Sequence, residues 1–217
     1  GMETSFRQIV ADAVGVIPAN VEIVQGDTTD LTPFGPGSGT YASRGLVIGG
    51  NAMHHVAGEL REALRAAASQ ILECPANEIE FADGTVGSRR DPSRNIGLGR
   101  LAAVAGDSQR GFEHYGTYTL PPGTFAFAAH ATMVEIDGVT GAVNIMKYVA
   151  IHDCGNEINP MIVKGQIHGG LVQGLSEALF EEIAYEADGR PKAWSLMDYT
   201  LPAAGDIPDL RVETYPT

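Results

Sequence analysis

The residues able to do chemistry in this chain are scattered, and their spacing excludes more than it assigns. Six histidines, His54, His55, His114, His130, His152 and His168, form no HExxH string and no comparable ligand pair. Adjacent His54 and His55 fall on different sides of a helix. A zinc hydrolase is therefore disfavoured, and no metal ligand is assigned. His152 and Asp153 stand together and suit acid–base work, yet an Asp at a strand end close to a Gly equally forms a turn. Cys154, in the same turn, reads either as a nucleophile or as a small buried filler. Ser43 lacks the GxSxG elbow that exposes a serine for acyl transfer. The GPGSG run at Gly35–Gly39 has the wrong spacing for a dinucleotide fingerprint, and no GxxxxGK[ST] string is present.

Two stretches point to a bound cofactor instead. The first runs from Gly26 to Gly50, GDTTDLTPFGPGSGTYASRGLVIGG. Its glycines and prolines suit neither a helix interior nor a central strand, which predicts a loop with an exposed backbone. Near its end, Ser43 is placed to cap the next helix, where free N–H groups and Arg44 together attract an anion. That is a seat for a phosphorylated group, or simply a capped helix after a loop. The second stretch is KGQIHGGLVQG, Lys164–Gly174, where Gly165, Gly169, Gly170 and Gly174 each weaken a helix by about 1 kcal/mol relative to Ala. Something should approach this helix closely. Gln166 both donates and accepts, which suits the mixed polar edge of a planar heterocycle. The other reading is a helix packed tightly on a sheet, with Gln166 and Gln173 merely exposed.

Composition bounds the rest. With 217 residues the chain can bury a proper core, as one domain or two lobes. A net charge of −13 repels a phosphate backbone, so nucleic-acid binding is disfavoured and an anionic cofactor needs local donors. Cys74 and Cys154 form no CxxC, and with no leader pattern the two thiols suggest a reducing cytoplasm. No run reaches the length of a membrane span. Gly1 before Met2 reads as a scar of tag removal, which suggests a piece of something longer.

Apolar periodicity predicts a first helix over Glu3–Val14, capped by Thr4 or Ser5 and ended by Gly15 and Pro18, then a strand over Val21–Val24. A long helix over Asn51–Glu73 follows, with Leu60, Leu64, Ala67, Ala68, Ile71 and Leu72 inward and Arg61 and Arg65 largely outside. The string Pro-Ala-Asn recurs at 18–20 and 75–77, each time after a helix. Ile79–Val86 reads as a strand or hairpin around Asp83-Gly84, Ser88–Arg94 as a solvated basic loop, and Leu98–Ala105 as a short helix. Phe127–Ile136 and Ala142–Ile151 flank DGVTG and should form the centre of a sheet. A third helix is predicted from Met161 to about Glu182, then a hairpin pairing Ile183–Tyr185 with Ala193–Tyr199, then an irregular Pro-rich end over 201–217.

Taken in order, GDT at Gly26–Thr28, GTYASR at Gly39–Arg44, GGNA at Gly49–Ala52, DCGNEINP at Asp153–Pro160, GQIHGGLVQG at Gly165–Gly174 and MDYTLP at Met197–Pro202 form a recognisable series. The chain resembles the C-terminal molybdenum-cofactor-binding part of the large subunit of molybdenum hydroxylases, the xanthine dehydrogenase, aldehyde oxidase and carbon monoxide dehydrogenase family. The resemblance implies an α+β fold in two related lobes, residues 1–110 with the Gly-rich loop and residues 111–217 with the Gly-rich helix, and a molybdopterin cofactor in its cytosine dinucleotide form. It implies hydroxylation of a small-molecule carbon centre with oxygen from water, or oxidation of carbon monoxide, with electrons leaving through an iron–sulfur subunit to an FAD subunit. By the same resemblance Ala42, Ser43, Arg44, Gly45, Leu46 and Val47 hold the phosphate-bearing part of the cofactor and Gln166 contacts it.

Departures from the family pattern set further expectations. The family's catalytic glutamate, in a GxGE-like string, has no match here; Glu157, Glu177 and Glu181 do not occupy its place, so no catalytic residue is assigned. A GQG loop before the first helix and the earlier lobe of the large subunit are also missing. The isolated chain is therefore expected to be inactive and to lack its cofactor, with the remaining lobe and the two redox subunits as partners. Apolar surface meant for that lobe favours self-association. The contrasting reading is a non-catalytic scaffold domain that keeps the fold without the cofactor.

Overall fold

Each of the two compact units, Gly1–Pro122 and Gly123–Thr217, puts helices on a small sheet in an α+β fold. The computed structural model describes residues 2–27, 39–41, 44–106, 112–122 and 125–216.

In the first unit, helix α1 (Glu3–Val14) buries Phe6, Ile9, Ala11 and Val14, the face its periodicity predicts. Neither predicted cap operates, because the helix begins one residue after Met2 and Ser5 is buried inside it. Gly15 ends α1 in the left-handed region at φ +83°, its N–H returning to the Ala11 carbonyl. A Cβ there would lie 2.6 Å from Phe81 Cβ, so no other residue fits without displacement.

The predicted strand at Val21–Val24 does not form: no other strand pairs with it, and Val24 is exposed. Past Arg44, where the loop is expected to end, Gly45–Gly50 is a π-helical turn leading straight into helix α2 (Asn51–Ile71). Its glycines have a packing cause. A Cβ at Gly49 would stand 2.8 Å from Phe6 Cζ, and one at Gly50 3.1 Å from Ile9 Cδ1. The loss of side chains lets α1 lie against the start of α2.

Strands β1 (Ile79–Ala82), β2 (Thr85–Ser88) and β3 (Asn95–Gly97) form an antiparallel meander, with Asp83 and Gly84 both at positive φ in the first turn. Helix α3 (Leu98–Ala105) follows as predicted. Ala57, Leu64, Ala68, Ile79, Val86 and Leu101 make the core, with Cys74 as a buried filler. Arg61 and Arg65 are half-buried rather than outside: Arg61 donates to the Ala13 carbonyl at 2.8 Å and Arg65 to the Ile79 carbonyl at 2.5 Å, and both cover the Phe81 ring. Their aliphatic stems pack while their cations reach backbone oxygens.

In the second unit, β4 (Phe127–Ile136) and β5 (Val143–Asp153) form the predicted hairpin, with a register shift between Met133 and Val134. Asp137 closes its turn by accepting from the N–H groups of Val139 and Thr140. The sheet order is β4-β5-β6, so β5 is central and β4 is an edge. Strand β6 (Leu210–Thr214) lies in the tail expected to be irregular and pairs parallel to β5, Tyr148–His152 against Leu210–Thr214. Helix α4 (Pro160–Leu179) joins them as a crossover, begun by Pro160 and capped by Asn159, whose Oδ1 accepts from the Ile162 N–H. Its Ile167 and Leu171 pack on Ala150 and Val212. The expected second hairpin reduces to one bridge, Tyr185 to Pro191, around the Asp188-Gly189 turn; Ala193–Tyr199 forms no strand.

Candidate functional site

In the first unit the predicted phosphate seat falls on the start of the α2 helical run. Ala42 and Ser43 lie outside the described residues. Gly45, Leu46 and Val47 form the first part of the π-helical turn, where N–H groups lack intrahelical partners. A Cβ at Gly45 would come within 2.9 Å of Thr40 Cγ2, so the backbone itself is tight against the incoming chain. The Arg44 guanidinium stacks 4.6 Å from the Tyr41 ring and donates to the Tyr41 hydroxyl at 2.5 Å. Its charge is thereby held beside the helix start.

One turn further, Asn51, His54, His55, Thr117, Tyr118 and Thr119 line a cleft that sequence reasoning did not find. Glu59 approaches both His55 Nε2, at 3.2 Å, and His114 Nδ1, at 3.8 Å. The 117–119 segment reaches α2 because Gly116 passes Val56 closely, a Cβ there being 2.5 Å from Val56 Cγ2.

In the second unit Gly165, Gln166, Gly169, Gly170, Gln173 and Gly174 are all exposed on α4. A Cβ built at any of the four glycines meets nothing within 4 Å. The expected close neighbour is therefore not supplied by the described residues; α4 does pack on the sheet with Gln166 and Gln173 exposed, but through Ile167 and Leu171 rather than through its glycines. His168, two residues from Gln166, has a buried Nε2 with no hydrogen-bond partner among the described residues. A buried polar atom left unpaired is costly, so a donor or acceptor from outside the described residues suits it.

The MDYTLP segment is tied to this helix through Glu181, whose carboxylate accepts from the Ser176 and Tyr199 hydroxyls. The bonds from Ser176 and Tyr199 hold the Glu181 carboxyl below its ordinary range, and the bond to Glu181 pushes the Tyr199 phenol up. The remaining candidates resolve against catalysis. Asp153 is buried and accepts from the Gly155 N–H at 2.9 Å, as a turn former does. Cys154 is exposed rather than a filler, and desolvation followed by Glu157 raises its thiol, so nothing activates it. His152 turns to His130 on β4, and burial followed by that neighbour lowers its imidazole, favouring the neutral ring.

The model of the molybdopterin cofactor-binding domain matches residues 1–208. The chain belongs to that family. Among curated relatives, the 6-hydroxypseudooxynicotine dehydrogenase complex subunit gamma of Paenarthrobacter nicotinovorans is 33% identical over 97% of this chain and 27% of its own length. The carbon monoxide dehydrogenase large chain of Hydrogenophaga pseudoflava is 32% identical over 96% of this chain and 26% of the relative. The chain thus spans about a quarter of these relatives. Quinoline 2-oxidoreductase from Pseudomonas putida 86 superposes with a TM-score of 0.82 at 35% identity, over 100% of this chain and 28% of that one. A Cu,Mo-containing CO dehydrogenase gives 0.86 at 30% identity, over 100% and 27%.

For a molybdopterin cofactor-binding domain, the residues present fit the group. A helix start with an adjoining guanidinium suits a phosphate, and a side-chain-free helix face with a carboxamide suits a flat, polar-edged pterin. No described helix is long and apolar enough to cross a membrane.

Proposed function

We propose that this chain is the cofactor-holding part of a molybdenum hydroxylase, an oxidoreductase that works with an iron–sulfur subunit, an FAD subunit and the rest of the large subunit in the cytoplasm. The cofactor is the cytosine dinucleotide form of molybdopterin. Its phosphate-bearing part rests on Ala42–Val47, where Gly45–Val47 offer backbone N–H groups and Arg44 offers a fixed positive charge against the overall −13. Gln166 fixes the orientation of the pterin by donating and accepting along one edge, and Gly165, Gly169 and Gly170 keep the helix face clear for it. When bound, the group supplies the two-electron redox chemistry and the site for oxygen transfer from water.

What carries this reading is α4: a helix that forgoes four side chains where no described residue takes up the space, inside a chain of this family. No glutamate among the described residues is assigned as a catalytic base. Glu181, the glutamate nearest the helix end, is engaged with Ser176 and Tyr199. The 217 residues alone are therefore expected neither to turn over substrate nor to retain the cofactor until assembled with their partners.

The test is chemical analysis of the chain in complex with its partner subunits, measuring molybdenum and released cytosine nucleotide per chain. One equivalent of each is expected in the native complex, with loss of both in Gln166→Ala and Arg44→Ala. A native complex containing neither would replace this reading with that of a scaffold domain.

A further inference from the structure

On the helix-covered face of the second sheet lies a side-chain cluster that the cofactor reading does not use. The register sets Ala128 opposite His152 and His130 opposite Ala150, so the two histidines are diagonal neighbours on one face of β4 and β5. Their Nε2 atoms stand 3.1 Å apart. His130 Nδ1 is hydrogen-bonded to the Tyr148 hydroxyl at 3.0 Å, which fixes its ring. His130 is exposed and His152 half-buried, so the pair is open to solvent on one side.

The geometry points to a divalent d-block metal site in which His130 Nε2 and His152 Nε2 ligate one ion, Tyr148 orients the first imidazole, and water fills the remaining positions. Zn–N bonds of about 2.05 Å and the 3.1 Å separation require an N–metal–N angle of about 98°. That lies between the right angle of octahedral or square coordination and the tetrahedral angle.

Ring placement agrees. With each Nε2 about 1.15 Å from its ring centre, rings converging on a shared ion would have centroids about 4.8 Å apart, and rings aimed head-on at each other about 5.4 Å. The observed separation is 5.0 Å with the planes inclined at 45°, nearer the converging arrangement. Neutral imidazoles are borderline ligands that select Zn²⁺, Ni²⁺ and Cu²⁺ over Mg²⁺ and Ca²⁺. The Tyr148 hydroxyl on Nδ1 plays the outer-shell part that fixes ring orientation in metal-bound histidines. No grouping of three or more His, Cys, Asp or Glu side chains able to hold a metal occurs among the described residues. A site with two protein ligands is weaker than a structural zinc centre, and it would tie the edge strand β4 to the centre of the sheet. This site does not depend on the cofactor reading.

The test is calorimetric titration of the full chain with Zn²⁺ after chelator treatment, with Mg²⁺ as the contrasting ion. One Zn²⁺ per chain is expected to bind, its affinity weakened about tenfold or more by His130→Gln or His152→Gln and less by Tyr148→Phe. Because His152 is half-buried, the wild-type chain is also read by ¹⁵N NMR, where Zn²⁺ should shift the Nε2 signals of His130 and His152 together. Absence of Zn²⁺ binding, binding that survives both substitutions, or coordination shifts on other histidines would each overturn the assignment.

Discussion

Replacing Gly165, Gly169, Gly170 and Gly174 with alanine should stabilise the second unit while damaging its use. Each glycine stands inside α4, and a Cβ at each meets nothing within 4 Å. No steric cost therefore opposes the helix-propensity gain of about 1 kcal/mol per site. Four sites give about 4 kcal/mol as an upper value and about 2–3 kcal/mol once neighbouring positions such as Gly169 and Gly170 are allowed to couple. Urea unfolding followed by far-UV circular dichroism, with amide exchange at Leu171 as the local probe, reads the change. The expected result is a higher midpoint at unchanged slope and slower exchange. The same four methyl groups stand between the helix backbone and a flat ligand. Pterin nucleotide binding should then weaken about tenfold or more, at least about 1.4 kcal/mol. A variant that is less stable would show that the helix face is packed after all. A variant that is more stable yet binds pterin nucleotide as tightly as the parent would remove the glycine face from the cofactor site.

Gly15→Ala should cost about 2–4 kcal/mol, because φ +83° and a Cβ 2.6 Å from Phe81 Cβ add left-handed strain to overpacking. Gly58→Ala in α2, where a Cβ meets nothing within 4 Å, should instead gain about 1 kcal/mol, and parallel thermal melts of the two variants check the contrast. The Glu181–Tyr199 contact carries a pH signature. Glu181 is held below its usual 4.5, so its contribution is complete above that pH and fades as pH falls through the lower folded value. Tyr199 is raised above 10.0, so its contribution is complete below that pH and fades as pH rises through the higher folded value. The stability gap between the parent and Tyr199→Phe should thus stay constant from about pH 6 to pH 9 and narrow below about pH 4.5; a gap unchanged in acid would contradict the assignment.

Local grammar was legible and long-range pairing was not. Helix α1, helix α3, the Asp83-Gly84 turn and the DGVTG hairpin each follow from side chains within a few positions of one another, and each forms where those side chains place it. Strand β6 is a short segment between Pro208 and Pro216, and only its pairing with β5, far upstream, makes it a strand. Val21–Val24 carries comparable apolar character and stays unpaired. Arg61 and Arg65 look solvent-facing by charge, but the Ala13 and Ile79 carbonyls and the Phe81 ring, distant in sequence, draw them inward. The His130–His152 pair was hidden for the same reason, since a diagonal contact exists only once the hairpin register is set.

Glycine shows why the candidate site was only half readable. In sequence Gly45, Gly49 and Gly50 belong to the Gly-rich stretch before the long helix and Gly165, Gly169, Gly170 and Gly174 to a weakened helix; the structure puts all seven in helical backbone, where each costs stability. In the first unit the structure supplies the reason from within, because Thr40, Phe6 and Ile9 occupy the space a Cβ would need. In the second unit the same construction of a Cβ finds empty space at every position. Packing therefore accounts for one set and leaves the other without a cause among the described residues, which supports the proposal that something binds along α4. That asymmetry makes α4 rather than the Gly-rich loop the firmer foundation for the proposed cofactor reading.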